Sequence, residues 1–517
     1  MAGSTGFTKA FSHVASGTFL SRVLGLVREQ VFAHFFGATM AADAFFAAFR
    51  IPNLLRDLFA EGALSSAFVP IFKERLNKEG REAAFELAQV VFGVLTVILG
   101  IVVVGGIIIS PWLVKVMTPG FGEIAGKLDL TASLTALMFP FLMLVALAAL
   151  AMSIHNSFDS FAIPALAPAM FNIGVIAAAY LICPYMTQPI YGMALGVLIG
   201  GAGQLVLQLP GLWRLGLKIK FRPDFKHPGL RQIGRLITPM IGGLAAGRVN
   251  IFVNTVLASL MGAGAVAYLT YAYRLMHLPL GMIGVALGTV ALPKASQQAA
   301  LGDLDGVAET FHRGMQWCVF LVLPMAAFLV AAGSLIISLL FEHGQFNQID
   351  TVNTYHALAW YSLGLIGFAG VRVSAPIYYA LQDAVRPMRF SIIAVLVNLA
   401  ANFALVPFLG FAGLAAATGL GGVVNFILLV FYLPRLVPGV KRSLVLWLFT
   451  KNFIAAALAG FMVFFVQDQS WIIVWGDDFW GRLVKVIIIG LIGLAGYILI
   501  SFALGNIPSL KRDGSGE

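Results

Sequence analysis

The stretch ADAFFAAFRIPNLLRDLFAEGALSSAFVP, residues 42–70, decides what kind of molecule this is. It is long and apolar enough to cross a bilayer core of roughly 30 Å as a helix, yet it carries Asp43, Arg50, Arg56, Asp57 and Glu61. At about 100° per residue, Asp43, Arg50, Asp57 and Glu61 fall within about 40° of one another, on one face of the helix. Pro52 bends or loosens that helix, so the direction of Arg56 depends on the kink. A charge at the centre of a bilayer costs on the order of 3 kcal/mol even on lenient insertion scales. Charges gathered on one helical face therefore point to a wet interior rather than to lipid.

The rest of the chain has the same character. Of 517 residues, 60% are apolar and 11% are charged, against about 25% charged in a typical soluble domain. Mean hydropathy is +0.91. Apolar runs define about fourteen spans, near 10–36, 43–72, 85–114, 130–154, 162–183, 190–213, 232–260, 264–293, 313–340, 353–381, 388–407, 411–433, 445–466 and 483–505. The start of the chain lacks the pattern of a cleavable signal, since Arg22 and Arg28 interrupt the first apolar stretch. Cys183 and Cys318 stand in separate apolar segments and suggest neither a disulfide framework nor a metal site.

Most cations fall in alternate connections: Lys9, the Lys73/Arg75/Lys78/Arg81 cluster, the basic stretch from Arg214 to Arg235, Lys294 and Arg313, Arg386 and Arg389, Arg435 to Arg442, and Lys511 and Arg512. The other face holds Lys115, Lys127, Arg482 and Lys485. By the positive-inside rule both termini are cytoplasmic, and the net charge of +10 reflects topology rather than nucleic-acid binding.

The chain also resembles itself. Gly37 and Gly262, Arg50 and Arg274, Pro70 and Pro293, and Asp159 and Asp383 are each separated by about 224 residues, in similar local strings. Each copy holds six spans, so the copies run in the same sense, related by a pseudo-two-fold axis along the membrane normal with the substrate site expected between them. The expected fold is an all-α polytopic membrane protein of 14 transmembrane helices. Residues 1–213 form the first six-helix lobe, 214–231 a basic linker and 232–437 the second lobe. Residues 438–517 hold two C-terminal helices and a tail.

The cations inside spans are Arg22, Arg28, Arg50, Arg56, Arg248, Arg274, Arg372 and Lys451; the acids are Glu29, Asp43, Asp57 and Glu61. Bases outnumber acids. Guanidinium stays charged when desolvated and matches phosphate bidentately, so this set suits a pyrophosphate better than a cation or a neutral sugar. A membrane-embedded enzyme would need a cluster of acids, histidines or metal ligands, and the histidines are scattered. A cation-coupled drug exporter should show acids outnumbering arginines.

At SRVLGLVRE (21–29), at 42–70 and at YRLMHLPLGMIGVALGTVALP (273–293) the chain resembles the MurJ family of lipid II flippases, in the multidrug/oligosaccharidyl-lipid/polysaccharide exporter superfamily, along essentially its whole length. A polysaccharide-repeat flippase of that superfamily is the alternative. The resemblance implies two lobes with a cationic cavity, and a hydrophobic groove made by the last two helices. It assigns substrate binding to Arg22, Arg28, Arg50, Arg56 and Arg274, and cavity or gating roles to Glu29, Asp43, Asp57 and Glu61. Tyr273 and His277 stand where other members often carry acids, which puts the family's gating ion pairs in question here. The resemblance also implies a cation site, for which Asn254, Asn398, Asn402 and Thr418 are the candidates. They supply neutral oxygens only, and intramembrane Asn also serves to bond helices together. The implied setting is the bacterial inner membrane, with lipid II and membrane lipids as partners, the cell-wall synthesis machinery as a further one, no cofactor or metal, and a monovalent cation or the membrane potential as driving force.

Overall fold

The computed structural model describes the backbone of residues 2–508 apart from 60–62, 219, 468, 470, 471, 473 and 474; side chains are described over the same residues apart from 2–15, 57–59, 63, 238–249 and 282–291. Glu61 and the side chains of Asp57 and Arg248 lie outside the described residues.

The described chain is helical throughout, with three short 3-10 turns. The helices are α1 (Ala2–Phe36), α2 (Met40–Phe59), α3 (Ala63–Lys78), α4 (Arg81–Met117), α5 (Lys127–Met138), α6 (Phe141–Ser157), α7 (Ala162–Leu181), α8 (Pro189–Val206) and α9 (Leu209–Arg214). They continue with α10 (Pro228–Ser259), α11 (Ala265–Ala300), α12 (Leu304–Phe341), α13 (Gln348–Leu363), α14 (Leu365–Ala380), α15 (Val385–Leu409), α16 (Phe411–Tyr432), α17 (Arg442–Val466) and α18 (Phe479–Ala503).

Among the described residues, ten helical segments are long and apolar enough to cross a membrane. The other four spans expected from sequence fall on α1, α2 with α3, α10 and α11, the helices that bear Arg22, Arg28, Arg50, Arg56, Arg248 and Arg274. Large apolar side chains lie bare along the outside: Ile101, Val104, Ile108 and Trp112 on α4 are each more than half exposed, as are Leu491, Leu499 and Phe502 on α18. Water would not tolerate stripes of this kind, whereas acyl chains solvate them. The molecule is a multi-pass membrane protein.

The helices pack as two units: Met1–Ala267 with His343–Phe346, and Tyr268–Glu342 with Asn347–Glu517. In the first, Phe68, Phe72, Leu87, Val91, Leu150 and Leu212 form a core joining α3, α4, α6 and α9, and α10 adds Ile233. In the second, Ala332, Val463 and Ile489 hold α12, α17 and α18 together.

The internal repeat recurs in the anatomy of the helices. The fourth span of the first copy breaks at Phe139–Pro140, between α5 and α6, and its counterpart breaks at Gly364, between α13 and α14. Proline supplies no N–H at the first break. At the second, Gly364 lets the backbone approach that of α16, because a Cβ there would stand 2.2 Å from the Cα of Gly419. The two described non-glycine residues with positive φ, Asp159 (56°) and Gln382 (59°), terminate α6 and α14 at matching places.

Candidate substrate site

On α1, Arg22 is exposed and Arg28 is half-buried. The Arg28 guanidinium donates from Nε to Oε1 of buried Glu29 at 3.0 Å, and a second nitrogen reaches the same oxygen. Its carbon lies 5.1 Å from the centre of the Phe171 ring of α7, a cation–π contact that shields one face from lipid. Arg56 is half-buried near the end of α2. Arg50, one turn and a half earlier, donates to Thr255 Oγ1 of α10 at 2.6 Å. Thr255 Oγ1 in turn donates to the Ile251 carbonyl at 2.7 Å. Half-buried guanidinium groups on α1 and α2 present the planar fork that matches an anion such as phosphate bidentately.

Asp43 differs from its expected setting. It faces no cavity: its side chain is 0% exposed and bonded to Lys127 Nζ at 2.8 Å, Gly264 N at 2.6 Å and Ala267 N at 2.8 Å. A carboxylate across the first turn of α11 meets the positive end of the helix dipole. Lys127 differs too, since sequence places it in an outer connection and the structure buries it completely, its Nζ 3.9 Å from the centre of the Phe121 ring. Lys127 is the first residue of α5, where the helix dipole disfavours a cation, and the Asp43 carboxylate offsets that cost.

In the second unit Arg274 and Arg372 are half-buried. One turn beyond Arg274, the His277 ring donates from Nδ1 to the Tyr273 carbonyl at 3.0 Å, and the Tyr273 and His277 rings lie 4.0 Å apart, centre to centre. Asn398, Asn402 and Thr418 come together in buried packing: Asn402 Nδ2 donates to Asn398 Oδ1 at 3.3 Å, and Asn398 Nδ2 approaches Thr418 Oγ1 at 3.5 Å. Asn254 belongs to the first unit and is half-buried on α10. No group of three His, Cys, Asp or Glu placed to hold a metal occurs among the described residues.

Between α12, α17 and α18 runs an apolar cavity of about 540 Å³, lined by Phe320, Pro324, Phe328, Gly460, Val463, Gly493, Leu494 and Tyr497 among others. The Tyr497 hydroxyl is bound to the Phe320 carbonyl and to Asn452 Oδ1, both at 2.8 Å, so no free polar group faces the cavity from that side chain.

The architecture is that of a membrane exporter. An inward-facing multidrug resistance MATE family transporter of the MOP superfamily superposes with a TM-score of 0.69 over 84% of this chain and 99% of its own, at 14% identity, a likeness of fold alone. The chain belongs to the MurJ family: the family model described as Lipid II flippase MurJ matches residues 32–474. It is 35% identical to the lipid II flippase MurJ of Burkholderia cenocepacia, over 90% of this chain and 91% of the relative. It is 34% identical to the probable lipid II flippase MurJ of Vibrio cholerae, over 96% of each. A solved lipid II flippase MurJ in an inward closed conformation superposes with a TM-score of 0.79, covering 95% of this chain and 98% of that one at 25% identity.

Proposed function

We propose that this protein is a transporter, not an enzyme, and that it moves lipid II, a polyprenyl-pyrophosphate-linked sugar–peptide, from the cytoplasmic to the outer leaflet of the bacterial inner membrane by alternating access. Membership of the MurJ family supports the substrate. The observation that supports the mechanism is half-buried Arg28 on α1, held by Glu29 and covered by Phe171, together with half-buried Arg56 on α2. A pyrophosphate entering from water exchanges its hydration for these guanidinium groups, with Arg22 as a further partner and Arg50 available once it leaves Thr255. The bidentate fork suits both phosphates. The polyprenyl chain stays in lipid, along the cavity beside α17 and α18.

The bias of Lys and Arg supports cytoplasmic termini and a topology of fourteen spans in two six-helix lobes, with 214–231 linking them and 438–517 appended. An inside-negative potential then favours outward movement of the anionic headgroup by roughly 2.3 kcal/mol per charge per 100 mV. The Asn398, Asn402 and Thr418 cluster is the place in the second unit where a monovalent cation would bind if one drives the cycle. The cell-wall synthesis machinery is the natural recipient of the exported lipid.

The test is growth of a bacterium depleted of its own lipid II flippase. This chain should restore growth, and Arg28→Ala and Arg274→Ala should each fail to do so while reaching the membrane in normal amount. Growth restored by either variant would defeat the mechanism; failure of the parent chain itself would defeat the substrate.

A further inference from the structure

A second cavity, of about 530 Å³, opens in the second unit where the start of α12 diverges from the start of α17. Its lining carries charged side chains of both signs beside apolar Leu444, Trp447 and Leu448. Glu309 and Arg313, one turn apart on α12, pair with each other. Asp305 and Lys441 also line the space, and neither makes an ion pair among the described residues. They approach the cavity from neighbouring backbone: a Cβ on Gly439, two residues before Lys441, would stand 2.9 Å from Asp305 Oδ1. His312 accepts the Lys441 backbone N–H on Nε2 at 3.1 Å, which leaves its proton on Nδ1 as a further donor.

The cavity stands where α12 passes from charged to uncharged sequence, as a helix does on entering a bilayer. Arg313 is the last charged residue of α12, and the helix runs uncharged from Gly314 to Phe341. On α17, half-exposed Trp447 lines the cavity with Lys451 Nζ 3.9 Å from its ring centre, an aromatic and a snorkelling cation of the kind that marks an interface.

We propose that this cavity binds the headgroup of a zwitterionic phospholipid of the surrounding bilayer, phosphatidylethanolamine, with its ammonium on Asp305 and its phosphate on Lys441 and His312. An anionic headgroup would leave Asp305 facing like charge, and a cation alone would leave Lys441 unanswered; a primary ammonium joined to a phosphate by two carbons answers both. The inference is independent of the transported substrate, since it concerns a lipid that stays in its leaflet.

The test is native mass spectrometry of the detergent-solubilised full chain titrated with dioleoyl phosphatidylethanolamine, phosphatidylcholine or phosphatidylglycerol. Phosphatidylethanolamine should bind at least about ten-fold more tightly than either of the others, and Asp305→Asn and Lys441→Gln should each weaken it by about ten-fold, as expected for loss of a charged hydrogen bond. Unchanged melting temperatures of the two variants would show that the fold is intact. Equal or tighter binding of phosphatidylglycerol, which needs no variant to observe, would overturn the proposal, as would variants that bind like the parent. Free phosphoethanolamine at the same concentration should displace no lipid; displacement would overturn the assignment to a membrane lipid.

Discussion

Asp43 in the first unit and Asp350 in the second occupy comparable places, where the starts of two spans meet, and they are satisfied by different chemistry. Asp43 on α2 takes a full ion pair from Lys127, the first residue of α5. In the second unit the acid has moved to the other helix. Asp350, in the first turn of α13, accepts from the hydroxyl of Tyr268 on α11 at 3.0 Å and from the Asn347 N–H at 3.1 Å. Tyr268 and Asp350 stand about 224 residues beyond Ala44 and Lys127. The repeat therefore conserves a meeting point of helices and not the charges found there. Both carboxylates also accept from backbone N–H groups at a helix start, so an acid in an arginine-bearing span can be a helix brace rather than part of the substrate machinery.

The sharpest way to break this comparison is to remove one partner on each side. Lys127→Met leaves Asp43 as a lone charge in a closed interior and should cost about 3–5 kcal/mol. Tyr268→Phe removes one hydrogen bond to a carboxylate that keeps its backbone donor, and should cost about 1.5–3 kcal/mol. Thermal unfolding in detergent measures both; equal losses would mean that the two contacts are energetically alike.

The paired glycines at the ends of α1 and α10 sharpen it next. Gly37 (φ 53°) and Gly262 (φ 89°) both need the left-handed region, but a Cβ on Gly37 would stand 2.5 Å from the Gln345 carbonyl oxygen, whereas one on Gly262 meets open space. Gly262→Ala should cost about 1–2 kcal/mol from backbone conformation alone. Gly37→Ala should cost about 1–3 kcal/mol more, because backbone must move. Comparable melting temperatures for the two variants would contradict the close approach of residues 343–346 to α1.

The smallest effect belongs to the second copy of the repeat's acidic turn. Burial would raise the Asp383 carboxyl, but hydrogen bonds and attraction from Arg386 outweigh it and hold the group below the usual carboxylate range. A depressed folded value means that the contribution to stability is present above about pH 4 and fades as pH falls through the folded value. Asp383→Asn should therefore lower the melting temperature slightly at neutral pH and by progressively less as pH falls below about 4. A deficit that does not shrink as pH falls would show that the loss is steric.

Most of the fold was legible because bilayer solvent writes itself into composition: spans such as α4, α12 and α18 announce themselves by length and apolarity. The repeat was visible through Gly37, Pro70 and Asp159 because turns and bends restrict which residues can stand there. Helix breaks at Phe139–Pro140 and Gly364 were not legible, since each lies inside an uninterrupted apolar run where proline and glycine are tolerated. At the candidate site the positions of the arginines could be read, but their partners could not. Phe171 is an ordinary apolar residue until α7 brings it to Arg28. Asp43 and Lys127 are separated by 84 residues, and helical periodicity, which orders residues only within one helix, has no means of joining them.

The measurement that bears most directly on the account is the affinity of purified protein in lipid nanodiscs for lipid II. Arg28→Ala should bind at least about ten-fold more weakly than the parent, the equivalent of 1.4 kcal/mol, and Arg28→Lys should fall between them, because an ammonium restores the charge without the fork. Undiminished affinity in Arg28→Ala would contradict the claim that the guanidinium groups of α1 and α2 receive the pyrophosphate.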